Sequence, residues 1–313
     1  MDDEMRSAAA PRWKGAAGRL EVWYATLSDP QTHAGLWIHG ETVAPTQGGD
    51  PYAHGWATWF PPDGPPHTER FGPVPALAAA GATWFDAGGI RVGPEGLTGQ
   101  AGALAWELSW TDAGKPLWTF PRVAWERELL PGAQVVVAPT ADFTGSLTIG
   151  AATRRVDGWR GALAHIYGHG NAKRWGWIHA DLGGGDVLEV VTAVSHKPGL
   201  RRLAPMAFIR FRIDGKDWPA SPLPALRMRT TLQLGHWQLK GRIGNRAVSI
   251  RVDQPEQRCV SLRYTDPDGD TAVCTNTEQA DIHVEISHRE GRTRVVDHSW
   301  SVLGTGHAEV GLR

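Results

Sequence analysis

Between residues 165 and 189 the chain gathers His165, His169, His179, Asp181 and Glu189, with Trp175 and Trp177 among them. Protonating an apolar carbon takes a carboxylic acid or an imidazolium in a dry pocket, where burial tunes its pKa towards neutrality. Aromatic faces steady the cation that forms, tryptophan best. This stretch supplies both kinds of group. His165 and Glu189 are the expected proton donor and acceptor. Tyr167, Trp175 and Trp177 are expected to line a cavity and steady positive charge, with His169 beside them, and His179 and Asn171 to orient a water. Trp37, His39 and Glu41 form a second set of the same composition. The spacing of His165, His169 and His179 is not that of a diagnostic metal site, and no metal is expected. Asp266-Pro267-Asp268-Gly269-Asp270 lacks the glutamate that a calcium loop carries at its twelfth position, where Thr277 stands, so it reads as a hairpin turn.

A hairpin must position the first set. Residues 174–182 and 187–196 are rich in β-branched and aromatic types, and Gly183-Gly184-Gly185-Asp186 between them supplies the positive φ of a turn. With those four residues as the loop, Leu182 faces Val187. Trp175, Trp177, His179 and Asp181 then share a face with Leu188, Val190, Thr192 and Val194, and Glu189 falls on the other. A slip of one residue would exchange every assignment. Both faces carry apolar bulk, so the hairpin is expected to be buried on both sides.

Sixteen Trp against 7 Phe and 4 Tyr point to wide aromatic walls. With 38 Gly, 22 Pro and many short β-rich runs, the pattern is all-β with many turns. A formal net charge of −1 argues against a nucleic-acid or membrane-surface partner. The start, MDDEMRSAAAPRWKG, is not a secretory signal, and no apolar run is long enough to span a bilayer. A cytoplasmic setting is expected, and with it free thiols at Cys259 and Cys274.

In chain order, residues 1–18 read as a loose start. Strands are expected at 20–26, 34–42, 54–60, 83–86, 89–92, 97–100, 103–111, 117–120, 123–129, 134–138, 145–149 and 151–156, with a short helix or turn at 75–80. After the hairpin come strands at 207–213, 225–234, 236–243, 247–252, 258–264, 271–275, 281–287, 292–300 and 306–311. Length permits two domains, here 15–155 and 156–313. The echo of Trp37-Ile38-His39 in Trp177-Ile178-His179 suggests a duplication into tandem barrels.

His165-Ile166-Tyr167-Gly168 followed by Arg174-Trp175-Gly176-Trp177-Ile178-His179 resembles the second-half signature of the carotenoid 1,2-hydratase, tocopherol cyclase and AttH-type lipocalin-like superfamily. There a His-Asn-Trp-Gly segment precedes Trp-x-Trp and a polar residue. Glu21-Val22-Trp23-Tyr24 is similar to that family's opening strand, and Gly306-His307-Ala308-Glu309 to its closing Gly-x-x-Glu. The resemblance implies two tandem lipocalin-like antiparallel β-barrels around an apolar cavity. It matches His165 and Tyr167 to the His and Trp of the family segment, and His179 to a frequent Gln. Hydration or cyclisation of an isoprenoid, polyene or polyketide-like substrate, without cofactor, is the activity it implies. Trp23, Trp37, His39, His169, Asn171, Trp175 and Trp177 are the expected substrate contacts. The alternative is a carrier of a hydrophobic ligand with no chemistry. The oligomeric state is left open.

Overall fold

The computed structural model describes residues 3–78, 83–111, 114–195 and 204–313; His196 and part of the expected turn at 75–80 lie outside these. The first half forms β1 (Arg19–Ser28), β2 (Gly35–Ala44), β3 (Tyr52–Phe60), β4 (His67–Pro75), β5 (Phe85–Ala87), β6 (Ile90–Gly93), β7 (Gly96–Ala101), β8 (Leu104–Thr111), β9 (Gly132–Ile149) and β10 (Ala152–Gly168). They make one antiparallel sheet in the order β4-β3-β2-β1-β10-β9-β8-β7-β6-β5. The second half forms β11 (Arg174–Gly183), β12 (Asp186–Val194), β13 (Met206–Ile213), β14 (Lys216–Trp218), β15 (Arg229–Gln233), β16 (His236–Ile243), β17 (Arg246–Asp253), β18 (Val260–Thr265), β19 (Thr271–Glu290) and β20 (Thr293–Leu312). Their order is β14-β13-β12-β11-β20-β19-β17-β16-β15, with β18 paired to β19. The protein is all-β, two barrel-like antiparallel sheets in tandem, one of them nearly closed.

The two sheets share a feature of topology. In each sheet the first strand lies between the second and the last. The Trp-Ile-His echo does not follow it, because Trp37 is on β2, the second strand of its sheet, and Trp177 on β11, the first of its own. The first sheet runs on through Gly168 and the second begins at Arg174.

Each sheet wraps its own packed interior. Trp23, Ala25, Leu27, Leu36, Ile38, Val135, Val137 and Leu163 fill the first. Ile178, Leu188, Val190, Phe211, Trp237, Ile250 and Ile282 fill the second. The alternate residues of the same strands are also buried, because the sheets press their outer faces together. Leu20, Val22 and Tyr24 of β1 meet Trp177 and Val187 of β11 and β12 across this seam. Successive side chains point to opposite faces, so β1, β2, β10, β11, β12 and β20 each serve a barrel interior and the seam at once.

The hairpin of β11 and β12 departs from the expected register. Gly183 pairs with Asp186 and Asp181 with Val187, with Leu182 as an extra residue between them. The loop is Gly184-Gly185, with φ of 65° and 88°, the positive values that a tight hairpin turn of two residues requires. A run of three glycines offers more than one such loop, and this one moves Glu189 across the ladder to face His179. The expected partition, with Glu189 on the opposite face from His179, is thereby overturned.

Other corrections are local. Residues 3–18 are not a loose start: a helix, Asp3–Ala9, buries Met5, Ala8 and Ala9 against the first barrel's core. Arg122–Glu126 is a short helix rather than a strand, entered from Pro121 and carrying an i,i+4 ion pair from Arg122 to Glu126. Leu117 makes only a single bridge, to Val136. Cys259 and Cys274 are free thiols.

The N-terminal segment is held by His165. The ring stacks on Trp23 at 3.7 Å between centroids, with Trp125 edge-on at 4.9 Å. Nδ1 lies 3.0 Å from the Ala8 carbonyl and Nε2 2.8 Å from Glu21 Oε1. Glu21 also accepts the backbone N–H groups of Arg12 and Trp13. Although burial opposes its charge, these hydrogen bonds hold the Glu21 carboxyl below its ordinary pKa. Removing one partner of a buried pair strands the other, at a cost of about 3–5 kcal/mol. His165→Ala is therefore expected to lose stability of that order in urea unfolding; a loss under about 1 kcal/mol would contradict this role.

Candidate active site

The seam opens into a cavity of about 190 Å³. Its apolar wall comes from Leu20, Val22, Phe120, Ile166, Val191 and Phe208. Trp37, Trp175 and Trp177 add aromatic faces, and Tyr24, Tyr264, Gln134, Asn171, Ser195, His39, Glu41 and Glu309 bring polar groups to the lining. Even-numbered residues of β1 and odd-numbered residues of β2 and β11 reach it, as the parity of each strand dictates.

Two carboxyl groups in this lining are driven in opposite directions. Glu41 is fully buried and sits 3.0 Å from His39 Nε2, with His54 Nε2 at 3.7 Å. Burial opposes its charge, but the hydrogen bond from His39 and the nearby His54 ring outweigh it, and its pKa falls to about 2. Glu41 is a carboxylate at neutral pH. Burial dominates the reverse shift at His39, whose pKa is lowered despite Glu41, so the ring is neutral. With Glu41 ionised, the ring hydrogen belongs on Nε2, leaving Nδ1 as an acceptor. The ring is fixed by stacking on Trp56, 3.9 Å between centroids.

Glu309 behaves the other way. It accepts a hydrogen bond of 2.6 Å from Trp175 Nε1. Withdrawal from bulk water nevertheless raises its pKa, against the lowering effects of His307, Trp175, Cys274 and Asn276. A carboxyl with a raised pKa and a neutral imidazole backed by a carboxylate therefore line the same apolar space, an acid and a base set apart by their surroundings. The buried hydroxyls of Tyr24 and Tyr264 and the indole N–H of Trp37 have no hydrogen-bond partner. Each is an unsatisfied group beside the cavity.

A polar belt closes the inner end of the cavity. Glu189 accepts hydrogen bonds from Trp177 Nε1 and from Gln134 Nε2, the latter crossing from the first sheet to the second. His179 Nδ1 is 3.0 Å from its other oxygen. Beside it, His307 Nδ1 lies 2.6 Å from Glu278 Oε1, and Thr26 of the first sheet donates to Glu278 Oε2. Burial holds the Glu278 carboxyl well above its ordinary pKa and pushes His307 down to about 3.

Of the expected site residues, Trp37, His39, Asn171, Trp175 and Trp177 line the cavity. Asn171 is itself tied down, its side-chain N–H₂ donating to Asp266 Oδ1 at 2.7 Å. Glu189 and His179 stand in the belt behind. His165, Tyr167 and Trp23 are not in the cavity, because their parity on β10 and β1 turns them into the first barrel. His169 is exposed, its Nδ1 2.9 Å from an Arg19 guanidinium nitrogen. Glu309, Tyr24, Tyr264 and Gln134 were missed. The alternation of His307 and Glu309 on a closing strand was the available signal for Glu309. Among the described residues no group of three or more His, Cys, Asp or Glu side chains is placed to hold a metal ion, and no helix is long and apolar enough to cross a membrane.

The sequence model of a family described as tocopherol cyclase-like matches residues 17–312. Two uncharacterised proteins of Mycobacterium tuberculosis, from strains CDC 1551 / Oshkosh and H37Rv, are each 76% identical over 313 residues, all of this chain and 92% of theirs. Among solved structures, CghA in complex with Sch210972 superposes with a TM-score of 0.59 at 15% identity, over 96% of this chain and 93% of its own. An AttH-like protein of Nitrosomonas europaea gives 0.56 at 14% identity, over 96% of each chain. Kievitone hydratase of Nectria haematococca gives 0.56 at 13%, over 97% and 91%. These likenesses extend to the fold.

The pKa of Glu41 yields a prediction. Its folded value of about 2 lies below the ordinary 4.5, so its contribution is present above pH 4.5 and is lost as pH falls through 2. Unfolding free energy should decline across that window, and Glu41→Gln should flatten the decline while lowering stability at pH 7. Parallel wild-type and variant curves between pH 5 and 2 would contradict the assignment.

Proposed function

The chain belongs to the tocopherol cyclase-like family, and from that premise we propose that it is a cofactor-independent hydratase or cyclase acting on a largely apolar, alkene-bearing small molecule in the seam between its two sheets. One observation carries the reading: a carboxyl with a raised pKa, Glu309, and a neutral imidazole, His39, share one apolar cavity. A carrier has no use for such a pair, and a uniformly apolar wall would serve it better.

In this reading Glu309 delivers its proton to one carbon of the alkene. The cation left on the other carbon is steadied by the faces of Trp175, Trp177 and Trp37. Water, or a hydroxyl of the substrate itself, forms the new C–O bond and gives its proton to His39 Nδ1, whose opposite nitrogen is held by Glu41. The first nucleophile gives hydration and the second gives ring closure. Returning the proton from His39 to Glu309 restores the starting state. Tyr24, Tyr264 and Trp37 bring donors that a polar substituent can satisfy. The cavity is below the ~300 Å³ at which drug-sized sites begin. A larger substrate must therefore displace side chains such as Phe120 and Phe208, whose tilted rings lie 4.6 Å apart between centroids.

The test begins with the ligand that accompanies the protein when it is isolated from its own host, identified by mass spectrometry and returned to the purified protein. Glu309→Gln and His39→Gln should each bind it and each slow turnover by about 100-fold or more. Full turnover in Glu309→Gln would overturn the assignment. Binding without any conversion by the wild type would leave a carrier.

A further inference from the structure

The seam has a second opening at its other end, a pocket of about 300 Å³ lined by Thr26, Ser28, Arg160, His179, Asp181 and His307, with Thr305 at its side. It follows from the same strands. On β1, residues 20, 22 and 24 serve the cavity and residues 26 and 28 this pocket; on β11, residues 175 and 177 serve the first, 179 and 181 the second. The belt of Glu189, His179, Glu278 and His307 is the wall between them. We propose that this pocket binds a small neutral polyol and that His179 is the group it engages.

The chemistry of the lining selects the ligand. Thr26 and Ser28 donate to Glu278, to its carboxyl Oε2 and its backbone carbonyl respectively, so their hydroxyl oxygens meet the pocket as acceptors. Asp181 is a third acceptor. His179 Nδ1 lies against Glu189, and its Nε2 is buried without any partner. Acceptors in this number call for a ligand with several O–H donors. In the lining one cation, Arg160, faces one carboxylate, Asp181, at 3.6 Å, and burial keeps His307 neutral. Apart from the two imidazoles no aromatic ring lines the pocket, so an aromatic ligand finds no stacking partner.

The pocket also reaches the cavity wall mechanically. His307 lies against the Trp177 ring, 3.9 Å between centroids, and Glu189 joins His179 to Trp177 Nε1. Nε2 of His179 is covered in the free protein, so a hydroxyl that partners it must shift the ring. That shift passes to the Trp177 indole through Glu189.

The test is a titration of ¹⁵N-labelled full-length protein with glycerol and with xylose, read by NMR at His179 Nε2 and at the Trp177 indole N–H. Both signals are expected to move together and saturate in the millimolar range. Thr305→Trp, which fills the pocket from a half-buried position, should abolish the shifts. Asp181→Asn and His179→Gln should each weaken binding, read at the Trp177 indole N–H, by about 10-fold. Linear, non-saturating shifts would overturn the proposal. So would saturable shifts that persist unchanged in folded Thr305→Trp and Asp181→Asn variants, or saturation by sulfate or ammonium instead of either polyol. The outcome is independent of turnover in the cavity, which uses Glu309 and His39.

Discussion

The structure rests on strands that are buried on both faces. A strand with one wet face needs a single apolar stripe, whereas β1, β2, β10, β11, β12 and β20 each carry two, one for a barrel interior and one for the seam. The abundance of tryptophan follows from this constraint. Trp23 and Trp237 fill interiors, while Trp37, Trp175 and Trp177 fill the space between sheets, where large rings bridge surfaces that do not interdigitate closely. Polar residues on the seam side cannot reach water, so they pair with one another. His39 with Glu41, His179 with Glu189 and His307 with Glu278 repeat one solution on different strands.

Such pairs are costly to bury and are poor evidence for stability on their own. Their distribution is more telling. Those in the belt are closed off by cross-sheet hydrogen bonds from Gln134 and Thr26, and they lock the two sheets in one relative position. Those at the cavity keep an unbalanced state: Glu41 strongly ionised, Glu309 shifted towards its neutral acid, His39 neutral. The same burial that weakens the charged form of Glu309 is overcome at Glu41 by two imidazole neighbours. One environment thus drives two carboxyl groups in opposite directions.

The architecture was legible in the sequence because runs of β-branched and aromatic residues between glycine and proline turns mark most of the strands. Double burial blurred the rest. When both faces of Trp175-Gly176-Trp177-Ile178-His179 are apolar, nothing in the run says which face meets its own barrel and which meets the other sheet. His165 therefore read as catalytic when its parity on β10 turns it inward to Glu21. The glycine run at 183–185 left the hairpin register open by one residue, enough to separate Glu189 from its partner His179. Glu309 escaped notice because its significance depends on Trp175 and His39, distant in sequence and brought near only by the pairing of β11 with β20 and by the seam itself.

The account's central claim is that the working space lies between the sheets and not inside either barrel. A crystal structure of the protein with the ligand carried from its host tests this most directly. The ligand should lie against Trp175, Trp177, Leu20 and Val22, with a reactive carbon or polar atom in contact with the Glu309 carboxyl. Density within a barrel interior or on the outer surface, with Glu309 untouched, would contradict it.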